Sequence, residues 1–235
     1  MISRKRLPSL SIFFPAYKDE QSIRPLTLAC IQIAKELTDD YEIIIVEDCS
    51  PDKTGEVADE LAKEFKEVRV IHHEKNRGVG QTMIDGFTQA KKEYVFYTDG
   101  DAQYDVRELA LLAEQTPQYE VIVGYRLHRA EGFKRVFTSR CFHLLSFMLF
   151  GIHFKDIDCS FKLLHRRFLE KIKFRTKSAL VDPEILINAK RLNVPIKEIG
   201  VHHYLRKYGQ SQCLRVKLIV SMILDMIRLR FIYWF

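Results

Sequence analysis

The sequence predicts an α/β domain: a mainly parallel central sheet with helices on both faces, followed by a C-terminal amphipathic helix. Three observations carry this expectation. Short, nearly continuous apolar runs alternate with amphipathic stretches through the first half of the 235-residue chain, as happens when strands are buried on both faces beneath crossover helices. The segments after each apolar run are rich in charge and hydroxyls, which suits strand ends opening on one ligand crevice. At the far end, Lys217, Ser221, Asp225 and Arg228 share one helical face, opposite Val216, Ile219, Val220, Ile223 and Ile227.

The elements follow in order. LSIFFPAY (10–17), YEIIIVED (41–48), VRVIHH (68–73), YVFYTD (94–99) and YEVIVGYR (119–126) are dominated by β-branched and aromatic residues and read as strands. Between them, Ser22–Leu37, Thr54–Phe65, Gly80–Lys91 and Val106–Ala113 read as helices. Beyond Arg126 the rhythm changes. Phe133–Phe154 is largely apolar between Cys141 and Phe154, too short to span a bilayer and suited to a core or interfacial helix. The final stretch, 214–235, carries Arg215, Lys217, Asp225, Arg228 and Arg230, which argues against a simple span. Its RLRFIYWF ending mixes cations and aromatics as an interfacial anchor does, and a helix docked on a partner reads the same way.

Composition narrows the function. With 47% hydrophobic and 29% charged residues, a packed globular chain is expected and disorder is not. The net charge of +6 suits phosphate-bearing ligands, nucleic acid or an anionic membrane, but the basic residues form no stripe with interleaved aromatics, so no nucleic-acid partner is expected. Five scattered cysteines without a CxxC pair suggest neither a disulfide framework nor structural zinc, and point to a reducing compartment. The opening MISRKRLPSL passes into a strand-like run rather than a signal-peptide core.

Chemistry concentrates in YVFYTDGDAQYD (94–105). Asp99 and Asp101 follow a buried strand at the sheet edge where ligands bind, and two carboxylates one residue apart can converge on a hard divalent cation, with Gln103 adding a neutral oxygen. Taken alone, Asp-Gly-Asp reads more readily as a polar turn.

The segments FFPAYKDEQSI, IIIVEDCSPDKT, NRGVGQTMIDGF, YTDGDAQYD, GYR, DIDCSFKLLHR and HHYLRKYGQS occur in this order between residue 10 and about residue 212. Together they resemble the family 2 glycosyltransferases of the GT-A fold, and within them the dolichol- and polyprenyl-phosphate sugar synthases. The resemblance implies an inverting, metal-dependent transfer from a nucleotide-sugar donor to a membrane polyprenyl phosphate. With the amphipathic pattern of the final stretch, the chain is expected to divide into a catalytic domain at 1–212 and a membrane- or partner-associating helix at 213–235. Pro15, Tyr17 and Asp19 match the loop beside the nucleotide base, with Lys18 and Asp19 replacing the usual Asn and Glu. Glu47 and Asp48 match the acidic pair that reaches base and ribose, while Asp99, Asp101 and Gln103 match the set that holds Mg²⁺ or Mn²⁺ on the diphosphate. Gly100 and Arg206 are expected at the donor. Arg126 and Arg135 are expected at the acceptor phosphate or the diphosphate, because guanidinium forks suit phosphate oxygens, and Ser139 is expected with them at the acceptor phosphate. Asp101, Arg126 and Asp156 are the expected catalytic residues. Asp158 stands where the family often has glycine, and Asp182 and Glu184 read as carboxylates favoured by a helix N-terminus. The setting implied is the cytoplasmic face of a membrane, occupied peripherally, with room for a membrane-protein partner. Two alternatives stand beside this: a transferase acting on a glycan or lipid hydroxyl, and a catalytically silent scaffold with the same fold.

Overall fold

The computed structural model describes residues 7–127, 133–207 and 216–234, with 133–141, 216–221 and Trp234 described by backbone alone. Strands β1 (Leu10–Ala16), β2 (Tyr41–Glu47), β3 (Val68–His72) and β4 (Tyr94–Thr98) alternate with helices α1 (Ile23–Leu37), α2 (Thr54–Glu64) and α3 (Val79–Gln89). A 3-10 turn at Val106–Glu108 leads into α4 (Leu109–Ala113), and β5 is Val121–Arg126. Then come α5 (Phe133–Phe150), β6 (Phe161–His165), α6 (Arg166–Lys171), α7 (Val181–Arg191), β7 (Ile196–Val201) and α8 (Val216–Trp234). The expected Val106–Ala113 helix therefore begins as a tighter turn, because the Asp105 carboxylate accepts from the Arg107 N–H at 3.1 Å and fixes the first residues.

Among the described residues, seven strands form one sheet in the order β3-β2-β1-β4-β6-β5-β7. All neighbours are parallel except β6, which runs antiparallel to both β4 and β5. Ile43 to Val46 and Val95 to Tyr97 are buried throughout, as expected of strands covered on both faces. Helix α1 turns Ile23, Leu26, Cys30, Ile33, Ala34 and Leu37 into one core layer. On the other face α3 approaches so closely that a Cβ on Gly86 would stand 2.2 Å from the Phe13 ring. The reversal at β6 matters most for function: Thr98 pairs with Phe161, so the residues just before Phe161 lie beside those just after Thr98.

Helices α5 and α8 pack together. Met226 and Leu229 of α8 bury against Leu180, with Met222 and Tyr233 beside them and Phe142, Leu145, Leu149 and Phe150 of α5 completing the cluster. The apolar face expected through Ile223 and Ile227 is not the one that packs inward. Those two residues lie on the outer side with Leu224 and Phe231, while Met222, Met226, Leu229 and Tyr233 face inward at spacings of four, three and four. The helix is apolar around most of its circumference, so its own pattern does not select the inner face; contact with α5 and α7 does. Among the described residues no helix is long and apolar enough to cross a membrane.

The tip of α8 is tied to α7 by polar bonds. Tyr233 donates its hydroxyl to Glu184 Oε1 at 2.7 Å, and the Glu184 carboxylate, wholly buried, also accepts from the Arg175 and Thr176 N–H groups and the Thr176 hydroxyl. Tyr233→Phe is expected to lower stability by about 1.5–3 kcal/mol, the range for a hydrogen bond to a buried charge, measured as a shift of the urea midpoint at unchanged slope.

Candidate active site

Three loops at the C-terminal ends of β1, β2 and β4 form one wall. Each contains a non-glycine residue in the left-handed region: Lys18 at φ 61°, Cys49 at φ 54° and Ala102 at φ 55°. Such conformations cost of order 1–3 kcal/mol each, and cross-loop bonds hold them here. The Lys18 N–H donates to Ser50 Oγ at 2.8 Å, the Asp19 N–H to Thr54 Oγ1 at 2.9 Å, and Ser22 Oγ to the Gly100 carbonyl at 3.0 Å. Gly100 sits so close to β1 that a Cβ would stand 2.1 Å from the Pro15 carbonyl oxygen. Because that neighbour is backbone, Gly100→Ala must displace one of the two strands. A loss of about 1–3 kcal/mol is expected, read by thermal melting, together with slower transfer, since the glycine links Asp99 to Asp101.

The acidic pair beyond β4 is mostly enclosed. Asp99 lies within 3.4 Å of the Tyr97 hydroxyl, and burial, then the charges of Asp101 and Asp182, push its carboxyl up to about 7. Asp101 accepts from the Gln103 N–H at 3.1 Å and forms an ion pair with Arg206. Gln103 in turn bonds both backbone groups of Tyr204, its Nε2 donating to the carbonyl and its own carbonyl accepting the N–H. Asp19, held by the Tyr17 N–H at 3.0 Å, is pushed up to about 6, chiefly by burial.

Across the crevice Arg126 and Asp156 form a bidentate pair. Nε reaches Oδ2 at 2.6 Å and Nη2 reaches Oδ1 at 2.9 Å, while the Arg126 N–H also points at Oδ2. Their side chains are only 6% and 2% exposed. Behind Asp99 a second buried pair joins Lys162 Nζ to Asp182 Oδ1 at 2.6 Å, and Ser160 Oγ donates to Asp182 Oδ2 at 3.2 Å.

Residues 11–173 match the family described as Glycosyl transferase family 2. The chain belongs to that family. Among curated proteins, this family 2 glycosyltransferase is 29% identical over 224 residues to an undecaprenyl-phosphate 4-deoxy-4-formamido-L-arabinose transferase of Yersinia enterocolitica, covering 93% of this chain and 67% of the relative. It is 30% identical over 220 residues to the dolichyl-phosphate beta-glucosyltransferase of Saccharomyces cerevisiae, covering 82% of this chain and 66% of the relative. The chain thus spans about two thirds of the length of these relatives. Among solved structures it resembles glucosyl-3-phosphoglycerate synthase of Mycobacterium tuberculosis in complex with Mn²⁺ and UDP-glucose, at TM-score 0.71 and 15% identity over 95% of this chain and 79% of that one. It also resembles a mannosyltransferase of Pyrobaculum calidifontis in complex with GDP-mannose and Mn²⁺, at TM-score 0.66 and 17% identity over 95% of this chain and 67% of that one. The shared architecture is the GT-A fold.

Within this family 2 glycosyltransferase the expected residues fall into three groups. Pro15, Tyr17, Asp19, Asp99, Gly100, Asp101, Gln103, Arg126, Asp156 and Arg206 gather at the one sheet edge, through the strand ends, the β6 reversal and the Arg206–Asp101 pair. Glu47 and Asp48 are there too, but their carboxylates work inside the protein. Glu47 accepts from the Ser50 N–H and meets His72 Nδ1 at 3.2 Å. Asp48 accepts from the Arg77 N–H at 2.7 Å and the Gly78 N–H at 2.8 Å, and meets His73 Nδ1 at 2.6 Å, so it shapes the turn that opens α3. Arg135 and Ser139 lie on the α5 backbone with their side chains outside the described residues, as does the stretch from Tyr208 to Ser211.

Asp182 and Glu184 stand at the helix N-terminus where they are expected, but their side chains also have buried partners. Both occupy the first turn of α7, yet Asp182 pairs with Lys162 beside the site and Glu184 anchors the 175–176 loop and Tyr233. The signal was present: two carboxylates embedded in the apolar run ALVDPEILI have no solvated face and therefore call for buried partners.

Proposed function

We propose that this glycosyltransferase moves a sugar from a nucleotide-sugar donor to a polyprenyl phosphate, inverting the anomeric carbon, with Mg²⁺ or Mn²⁺, while attached peripherally to the cytoplasmic face of a membrane. The observation that carries this reading is the meeting at one sheet edge of an acidic loop, Asp99, Asp101 and Gln103, with the buried Arg126–Asp156 pair, whose guanidinium charge acts on Asp99. The relatives named for undecaprenyl and dolichyl phosphates support the acceptor class.

The donor set suits a divalent cation. Among the described residues no three acidic, histidine or cysteine side chains form a ready cage, and Mg²⁺ is commonly held by one or two carboxylates together with substrate phosphates. The pressure of Asp101 and Asp182 on Asp99 marks an excess of negative charge that such an ion offsets. Asp99, Asp101 and Gln103 would hold it, and when bound it supplies Lewis-acid stabilisation of the departing diphosphate. Arg206, paired with Asp101, offers a guanidinium to the same diphosphate. Pro15, Tyr17 and Asp19 flank the base, with Glu47 and Asp48 shaping the floor beneath the nucleoside. On the acceptor side, a phosphate monoester with its second ionisation near about 6 is already anionic at pH 7. It needs a docking cation rather than a base, the role assigned to Arg126 with Arg135 and Ser139.

The membrane surface is assigned to the outer faces of α5 and α8. Leu144, Phe147 and Met148 of α5 and Leu224, Ile227 and Phe231 of α8 are exposed, Met148 at 63% and Phe231 at 66%, and Arg228 and Arg230 add the cationic component that anionic lipids attract. Removing α8 would also strip Met226, Leu229 and Tyr233 from the interior, so a cleaner test is Leu224→Ser combined with Phe231→Ser. Loss of flotation with anionic vesicles at unchanged thermal stability is the expected result; undiminished flotation would move the contact elsewhere.

The reaction itself is tested by incubating the protein with a panel of nucleotide sugars and a short polyprenyl phosphate, then identifying the lipid product by mass spectrometry. A sugar monophosphoryl lipid is expected. Transfer to glycan hydroxyls with none to the lipid phosphate would favour the rival transferase, and no transfer at all the silent scaffold.

A further inference from the structure

We propose that Asp158 is a specificity-determining residue that accepts hydrogen bonds from hydroxyl groups of the donor sugar, an inference that rests on the transferase reading above. The antiparallel course of β6 lays residues 156–160 beside the Asp99 to Asp101 loop. Two clamps grip this segment. At one end Asp156 is held by both nitrogens of the Arg126 fork, at 2.6 and 2.9 Å. At the other end Ser160 bonds Asp182, which is held by the wholly buried Lys162. Asp158 stands midway between the clamps, half-buried, and among the described residues its carboxylate takes part in no hydrogen bond or ion pair.

A partly enclosed carboxylate without protein donors is costly. Burial first, and then the charge of Asp156, push the Asp158 carboxyl up to about 7. The surrounding chain leaves this cost unrelieved although both sequence neighbours two residues away are fully engaged. A ligand that donates hydrogen bonds would relieve it.

The charges nearby decide which ligand. Asp156 and Asp182 act on Asp158 with the same sign, so neither the diphosphate nor an acceptor phosphate is drawn to it. Arg126 and Lys162 act with the opposite sign, which weighs against a second metal ion. The neutral, hydroxyl-rich end of the donor is the remaining chemistry, and carboxylates commonly accept paired sugar hydroxyls, as at the ribose of dinucleotide sites. A site built to bond a hydroxyl also discriminates strongly against an analogue lacking it.

The test uses the full chain, the nucleotide sugar turned over in the panel above, the monodeoxy analogues of that sugar, and UDP and GDP alone. Asp158→Ala is expected to lower kcat/KM for the complete sugar about 10- to 100-fold, the equivalent of a lost hydrogen bond to a charge. UDP or GDP affinity should stay within about twofold, because the nucleotide does not reach this carboxylate. One deoxy analogue should already be poor with the native chain and lose no more in the variant. Asp158→Asn, which preserves shape and one acceptor oxygen, serves as the folding control and should retain part of the activity. Equal losses for every deoxy analogue, or a parallel loss of nucleoside diphosphate affinity, would overturn the assignment. A native protein that turns over no nucleotide sugar overturns the transferase reading itself, and this inference with it.

Discussion

Asp101→Ala is expected to lower transfer by about a thousandfold or more while the fold survives. Removing a Lewis-acid site costs several kcal/mol of transition-state stabilisation, and each 1.4 kcal/mol is about tenfold in rate. The structure adds a second reason. Asp101 accepts from the Gln103 N–H and pairs with Arg206, so its loss also frees the guanidinium assigned to the diphosphate. Both partners lie in loops rather than in a core cluster, and for that reason the melting temperature should change little. Asp101→Asn keeps an acceptor oxygen for the Gln103 N–H but loses the charge, and should be nearly as inactive. Rates measured across a Mn²⁺ series with parallel melting curves check this. Full activity of a folded Asp101→Ala, or undiminished activity of the native chain in chelator, would remove the metal assignment.

The second large effect concerns Arg126 and Asp156, which act as one unit. Breaking a buried ion pair by deleting one partner typically costs about 3–5 kcal/mol, because the other charge is left unpaired, and at 6% and 2% exposure this pair is well enclosed. Arg126→Ala and Asp156→Asn are each expected to lower unfolding free energy by roughly that amount and to abolish transfer to a polyprenyl phosphate. The double variant Arg126→Met with Asp156→Leu removes both charges together. It should recover much of the stability, since hydrophobic replacement of a buried pair is often neutral or better, and remain inactive, since the docking cation is gone. Denaturant melts and lipid-product assays on the native chain, Arg126→Met, Asp156→Leu and the double variant give the coupling directly. A double variant that transfers sugar at the native rate would refute a role for Arg126 at the acceptor phosphate. An activity that survives Arg126→Lys but collapses with Asp156→Asn, with a carboxylate limb in the pH profile, would instead promote the hydroxyl-acceptor transferase and a base role for Asp156.

The α/β class was legible because apolar periodicity is a local property: Ile43 to Val46 and Val95 to Tyr97 announce doubly covered strands without reference to anything distant. The acidic loop was legible for the same reason, since Asp99, Asp101 and Gln103 are neighbours in the chain and follow a strand end. Strand β6 was not read, because Lys162 interrupts its short apolar run FKLLH, and only Asp182, 20 residues away, makes that lysine tolerable inside. Nor was the inner face of α8, where a helix apolar around most of its circumference leaves the choice to the shapes of α5 and α7.

Pairings across long separations likewise belong to tertiary structure alone. Arg126 and Asp156 are both visible in the sequence as charged residues; that they form one bidentate unit follows from β6 entering antiparallel between β4 and β5. Glu47 and Asp48 read in the sequence as ligand carboxylates, and only the fold shows that His72, His73 and the 77–78 turn also close onto them. The sequence by itself determined the class of the fold, the family and the residues gathered at the catalytic edge. Tertiary structure alone decided which of those charges neutralise one another and which, like Asp158, keep no hydrogen-bond partner among the described residues. A carboxylate's type is set by its codon, whereas its availability depends on how many donors the finished packing brings within about 3 Å.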